Sequence, residues 1–279
     1  MNVHCFVGDL LGFSNLMMNL RPEIQSIRVD EWISLAKTAA QEAAIEKFQL
    51  ISDTIFASTE PTPEGLANLV KFSRLLLEEG TKVALPIRGA IAHGDVSWER
   101  EVTFGKALVD AYRLANNQNW IGVSVAESVA GHHLCWGWSS LVNYPTPMKS
   151  GPILIRPVVA WTIPPFLDFV KGLTSQGLSR EGETLEWEWG SKVQNTALFG
   201  IYLRLLTPHG RYLNPVQFQG ILPVQMLDQM TTGQVFMQLT GGENKLVRLT
   251  IGCPPTSQCA SADLPPLSQY NSSPAGPQA

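Results

Sequence analysis

Val3-His4-Cys5-Phe6-Val7-Gly8-Asp9 decides how the rest of the chain is read. The apolar run is short and closes on Gly-Asp, which suits a buried strand and not a helix. Leu10-Leu11-Gly12-Phe13-Ser14 follows, and Ser14 is placed to cap a helix running to about Asn19. Arg21-Pro22 interrupts that helix, and a second helical stretch covers about Glu23 to Glu46. A carboxylate at the end of a buried strand is costly unless it is paired or binds a metal. Taken singly, Asp9 reads equally well as a cap for the helix over residues 11–19.

Working outward, Phe48-Gln49-Leu50-Ile51 and Thr54-Ile55-Phe56-Ala57 read as two strands. Only Ser52-Asp53 separates them, which predicts a tight hairpin. Asp53 alone is ordinary turn chemistry. If the hairpin lies beside the first strand, its tip comes to Asp9. Two carboxylates at one site repel unless cations sit between them, and such a pair suits Mg²⁺ or Mn²⁺.

Thr62-Pro63-Glu64 starts a helix that Gly80 would stop. Val83 to Ala92 reads as a strand, residues 110–116 as a helix, Ile121 to Val125 as a strand and Ala126 to Ala130 as a short helix. A further strand covers Ile153 to Trp161, residues 176–190 a loop, and Val193 to Leu206 an amphipathic helix. Residues 216–252 have room for two or three strands, with a turn at 240–244. Residues 253–279 hold six Pro, five Ser and one charge, which predicts a disordered tail. The order is an α+β pattern: a mixed sheet with helices packed on one face. Residues 1–206 are expected to form the main domain, 207–252 a small β-rich appendage, and 253–279 the tail.

The chain has 279 residues, 44 % hydrophobic and 16 % charged, which excludes disorder as a description of the whole. The net charge of −4 argues against a protein that coats nucleic acid, and against transfer onto a nucleic-acid end. No window approaches the length of a membrane span, and the first residues lack a basic leader, so a cytoplasmic location is expected. Cys5, Cys135, Cys253 and Cys259 have no C-x-x-C spacing and read as reduced thiols. His132-His133 has no partners at metal spacing. Trp136 and Trp138 alternate as in a half-buried strand, and His93 reads as structural.

Four segments, in order, resemble the class III nucleotidyl cyclases. Phe6-Val7-Gly8-Asp9-Leu10-Leu11-Gly12-Phe13 is similar to their first metal motif, and Ile51-Ser52-Asp53-Thr54-Ile55-Phe56 to the hairpin with the second metal Asp. Arg88-Gly89-Ala90-Ile91-Ala92-His93-Gly94-Asp95 resembles the following core strand. Gly105-Lys106-Ala107-Leu108-Val109-Asp110-Ala111-Tyr112-Arg113-Leu114 resembles their Gly…Ala-x-Arg-Leu helix. The resemblance covers residues 3–165, extending toward 206. It implies a ferredoxin-like catalytic domain, working as a homodimer with active sites at the interface. It implies that Asp9, Asp53 and the Leu10 carbonyl hold two Mn²⁺ or Mg²⁺ ions. It places the Gly12 and Phe13 amides on a triphosphate, near a helix start that favours anions. Arg113 then matches the catalytic arginine supplied to the partner's site.

The departures narrow the reading. The family's Asn, four residues before the Arg, is Val109 here; Asn116 and Asn117 are candidate substitutes. Gln49 stands where adenylyl cyclases carry Lys, and Val102 where a partner Asp is expected. With its compact Ser-Asp-Thr hairpin, the chain resembles the Pycsar pyrimidine cyclases of antiphage defence, which make cyclic UMP or cyclic CMP. Gln49 then faces a uracil edge, which it suits as both donor and acceptor; otherwise it is a solvent-facing strand residue. Phe48 reads as core. Lys149 lies where family members place a phosphate-binding Lys, with Arg88 and Lys106 as further cations. The expected activity is UTP to cyclic UMP plus pyrophosphate, the product being read by a separate effector protein. The alternatives are a cyclase for CTP or a purine nucleotide, and a nucleotide-binding regulator that has lost turnover.

Overall fold

The computed structural model describes residues 1–99, 102–130, 140–151, 154–164 and 187–206, and the segments 216–219, 235–240 and 246–251. His132, His133, Cys135, Trp136, Trp138, Cys253 and Cys259, residues 176–186, most of the 240–244 turn and the 253–279 tail lie outside them. Two compact units are present, Met1–Pro208 and His209–Ala279. Among the described residues, no helix is long and apolar enough to cross a membrane.

The first unit is built on a seven-stranded mixed sheet. β1 (Asn2–Leu10) lies near its centre, flanked by β3 (Thr54–Thr59) and β4 (Ile87–Asp95), both antiparallel to it. β2 (Lys47–Ile51) edges β3. On the other side β4 pairs in parallel with β7 (Gly122–Val125), followed by β9 (Ile155–Val159) and β8 (Leu141–Pro145). Ser97–Trp98 (β5) and Thr103–Phe104 (β6) form a separate ribbon. β8 includes Asn143 and ends on Pro145, residues that disfavour a strand, and none is expected there from the sequence.

Strand alternation sorts β1 onto two faces. Val3, Cys5 and Val7, with Ala90, Ala92 and Val96, pack against Ala107, Ala111 and Ala115 of α4 (Lys106–Asn117). The small alanine stripe lets that helix lie close to the sheet. Phe6 points the other way and meets Phe72 of α3 (Pro63–Lys82) edge-on, with ring centroids 5.4 Å apart. Helices therefore cover both faces, which corrects the expectation of one covered face: β1 and β4 are apolar at odd and even positions alike, so both sides need burial. The Phe6 ring lies over Gly8 and Gly89; a Cβ at either would stand 2.5 or 2.7 Å from its atoms.

α2 (Pro22–Glu42) packs outside α3. Its buried Arg28 pairs with Glu31 and donates to the carbonyls of Val83 and Ala84, at 2.6 and 3.1 Å. These carbonyls lie just past the C-terminus of α3, where a cation is favoured. α3 begins as predicted, with Thr62 Oγ1 accepting from the Gly65 amide at 3.0 Å. It runs through Gly80 to Lys82, with Val83 as the cap, so Gly80 does not stop it.

α5 (Glu127–Ala130) follows β7. α6 (Trp187–Leu206) starts six residues before the predicted Val193, and residues 187–190 are helix where a loop is expected. It docks through rings: Phe199 meets Trp120 at 4.9 Å and Tyr144 at 4.7 Å. In the second unit, Val216–Gln219, Val235–Thr240 and Leu246–Ile251 form a three-stranded antiparallel sheet with the last strand central.

Candidate functional site

Asp9 sits one residue before the end of β1, opposite Thr54 of β3 and Arg88 of β4. Beyond it the chain turns sharply. Gly12 takes the left-handed conformation, φ 82°, and is the N-cap of α1 (Phe13–Asn19). A side chain is disfavoured there, and this glycine replaces Ser14 in the predicted capping role. Gly12 O accepts from the Leu16 amide at 3.0 Å, and Phe13 opens the helix half-buried.

The hairpin forms as predicted, with Ile51 opposite Thr54 and Ser52 at φ 58°. The buried Leu10 donates its amide to the carbonyl of Asp53 at 3.0 Å. That bond fixes the hairpin tip against the end of β1, which brings the two aspartates to one place.

The Asp9 carboxylate is held by Arg88, whose Nη2 lies 3.0 Å from Oδ2 and Nε 3.4 Å from Oδ1. The arginine side chain is 5 % exposed and the aspartate 24 %. Arg88 also donates to the Gln118 carbonyl at 3.0 Å and to Asn116 Oδ1 at 3.1 Å. Burial pushes the Asp9 carboxyl above its ordinary value; the Arg88 charge and hydrogen bond pull it down, the Asp53 charge pushes it up, and the Lys149 charge pulls it down. The upward result means that Arg88 does not fully offset the burial.

Gln118, the C-cap of α4, carries no local sequence signal of a role here. Its side chain donates to Gly89 O at 2.8 Å and accepts from Trp120 Nε1 and Ser124 Oγ, each at 2.6 Å. It fixes the loop after α4 from which Arg88 is anchored. The exposed Lys149 is tethered by its amide to Asn117 O at 2.7 Å, while Ser150 and Asn117 bond side chain to backbone and side chain to side chain. Its charge is the least of the influences on the Asp9 carboxyl.

Other candidates lie elsewhere. Arg113 is exposed on α4, away from the alanine stripe, with Val109 and Tyr112 beside it at 44 % and 51 % exposure. Among the described residues, the arginine that pairs with Asp9 is Arg88 and not Arg113. Lys106 pairs with Asp110 one turn along. Gln49, two strands from Asp9, accepts from Thr103 Oγ1 at 3.1 Å. The half-buried Phe48 meets the buried Phe72 edge-on, with ring centroids 6.3 Å apart. His93 is buried against His4, ring centroids 5.0 Å apart.

Asp9, Asp53 and the Leu10 backbone offer oxygen donors alone, which suits a hard divalent cation. Burial and the Asp53 charge disfavour the ionised form of Asp9 more than Arg88 restores it, and a cation at its oxygens would favour that form. Among the described residues no group of three or more His, Cys, Asp or Glu converges, so water and a ligand would complete any coordination shell.

No protein-family model matches the chain, and no curated protein matches it. Solved structures do match. A bacterial light-regulated adenylyl cyclase is 15 % identical, with 73 % of this chain and 57 % of that chain covered at TM-score 0.44. The monomeric guanylyl cyclase domain of the RhoGC fusion protein from the aquatic fungus Blastocladiella emersonii is 16 % identical, with 57 % and 94 % covered at TM-score 0.46. The adenylyl cyclase CyaB from P. aeruginosa is 13 % identical, with 57 % and 91 % covered at TM-score 0.40. The chain thus spans under two thirds of the light-regulated cyclase chains, 57 % and 58 % in the two structures.

Proposed function

We propose that this chain is a nucleotidyl cyclase that converts a ribonucleoside triphosphate, UTP by preference, to the 3′,5′-cyclic nucleotide and pyrophosphate. The observation that carries the reading is the bond from the Leu10 amide to the Asp53 carbonyl, which joins Asp9 and Asp53 at the ends of adjacent strands. The four ordered motifs around these residues supply the reaction class.

In the reaction the ribose 3′-oxygen bonds to the α-phosphorus, the bond from that phosphorus to the bridging oxygen breaks, and the hydroxyl proton leaves to solvent. Asp9, Asp53 and the Leu10 carbonyl are the residues that would hold the divalent cations. Bound Mn²⁺ or Mg²⁺ supplies charge that favours the 3′-alkoxide and balances the phosphates. Lys149 adds a positive charge on the same side, and the Gly12 and Phe13 amides offer donors to phosphate oxygens. Arg113 stabilises charge on the phosphoryl group as pyrophosphate departs. Because Arg113 is on the exposed side of α4, this role places it in the site of a second copy, which makes the working form a homodimer.

The preference for UTP rests on Gln49. Thr103 donates to its Oε1. This orients the amide so that its NH₂ is presented as a donor, which a uracil carbonyl accepts. The product is then a signal read by a separate cyclic-nucleotide effector, in antiphage defence as in the cyclases it resembles.

The test is incubation of the full chain with Mn²⁺ and each of the four ribonucleoside triphosphates, with products identified by mass. Cyclic UMP as the main product, lost in Asp9→Ala and Asp53→Ala, supports the proposal. Another cyclic nucleotide overturns the base preference alone. Nucleotide binding with no cyclic product favours the regulatory reading, to which Val109 in place of Asn points.

A further inference from the structure

We propose that Arg88 is a resident counter-ion of Asp9, and that a divalent cation binds by taking over the carboxylate from it, so that Arg88 sets the metal affinity of the site. This rests on the reading of Asp9 as a cation ligand.

The register puts Asp9 and Arg88 directly opposite each other on adjacent strands, with both side chains on the α4 face. The guanidinium addresses both carboxylate oxygens, at 3.0 and 3.4 Å. A cation bonded to those oxygens meets a nearly buried positive charge at contact distance, and like charges repel strongly where water is scarce. The arginine has somewhere to remain. Its Nη1 is bonded to the Gln118 carbonyl and its Nη2 also to Asn116 Oδ1. When the carboxylate is lost, these two neutral acceptors still hold Nη1 and Nη2, and only Nε–H gives up its Asp9 partner. Gln118 is itself fixed through Gly89, Trp120 and Ser124, so this second set of acceptors does not drift. Asp9, more exposed than its partner, is the side that opens to solvent.

The arrangement has a use. Without cation and substrate, Asp9 and Asp53 would repel; Arg88 holds the site assembled in that state. The cost is weakened cation binding, and removal of Arg88 exposes that cost.

Mn²⁺ affinity is measured by calorimetry on the full chain as wild type, Arg88→Met and Arg88→Lys. Arg88→Met should bind Mn²⁺ roughly tenfold tighter, which is ~1.4 kcal/mol. Arg88→Lys keeps the charge and should stay within about threefold of wild type. Equal or weaker binding by Arg88→Met overturns the proposal, since an arginine that only shapes the site would weaken binding when removed. If Arg88→Met does not fold, the wild-type protein gives the answer. Its Arg88 Nε–H resonance, assigned by its absence in Arg88→Lys, should shift as diamagnetic Mg²⁺ saturates the Leu10 amide signal. An Nε–H signal unmoved at saturation overturns the proposal. If neither wild type nor Arg88→Met binds Mn²⁺, the cation reading of Asp9 itself falls, a result separate from wild type binding and Arg88→Met binding no better.

Discussion

Replacing Gln118 with Met tests whether one buried amide holds the floor of the site. The substitution keeps length and volume nearly constant, so packing loss is small. It removes the acceptor used by Trp120 Nε1 and Ser124 Oγ and the donor used by Gly89 O. Gln118, Trp120 and Ser124 are each 0 % exposed, so water cannot substitute. A buried donor left unmet costs ~1–3 kcal/mol. Trp120 carries that cost in full. Ser124 has a second oxygen, Thr146 Oγ1, at 3.4 Å and loses less. The expected loss is ~2–4 kcal/mol, a large share of the ~5–15 kcal/mol that folded domains have. Urea unfolding of wild type and Gln118→Met measures it, with the slope held in common. Ser124→Ala should cost less in the Gln118→Met background than in wild type, because the shared bond is already gone. A loss under about 1 kcal/mol at unchanged slope would refute the hub.

Arg113→Ala should lower kcat by about 10²–10³ while KM moves only a few-fold, as expected for a group acting in the transition state; steady-state kinetics with the preferred nucleotide separates the two. Thr62→Ala should cost ~1 kcal/mol in urea unfolding, because the first turn of α3 loses its cap. Cys5 is buried, which pushes its thiol up to about 12 and keeps it protonated at neutral pH. Iodoacetamide should therefore leave Cys5 unmodified in the native chain and label it in urea, as read from the N-terminal peptide; equal labelling rates would contradict its burial.

Local signals were strong where one short segment carried the physics. Val3–Val7 followed by Gly8-Asp9 is too short for a helix, and Ser52-Asp53 between two apolar runs leaves room only for a hairpin. Neither signal says where the hairpin lies in the sheet; the pairing of β1 with β3 is what sets Asp53 by Asp9. The second covered face of the sheet was less visible, because continuous apolar strands do not say which side a helix takes. The pairing of Arg88 with Asp9 depends on a register 79 residues apart in sequence, which no local pattern records. A trace did exist: an arginine inside the apolar run Ile87–Ala92 demands a counter-charge. Gln118 lies between two asparagines in an ordinary-looking helix exit, and its role appears only when Gly89, Trp120 and Ser124 converge on it. Ser14 was a plausible cap by type, yet Gly12 wins because the chain must turn through a left-handed residue to leave β1.

The most direct test of the central claim is product stoichiometry with Mn²⁺ and the preferred nucleoside triphosphate. The account predicts cyclic nucleotide and pyrophosphate in equal amounts from wild type. It predicts neither from Asp53→Ala, a variant at a half-buried residue of the hairpin tip whose unfolding midpoint should match wild type. Pyrophosphate released with a linear monophosphate, or undiminished turnover by Asp53→Ala, would contradict it.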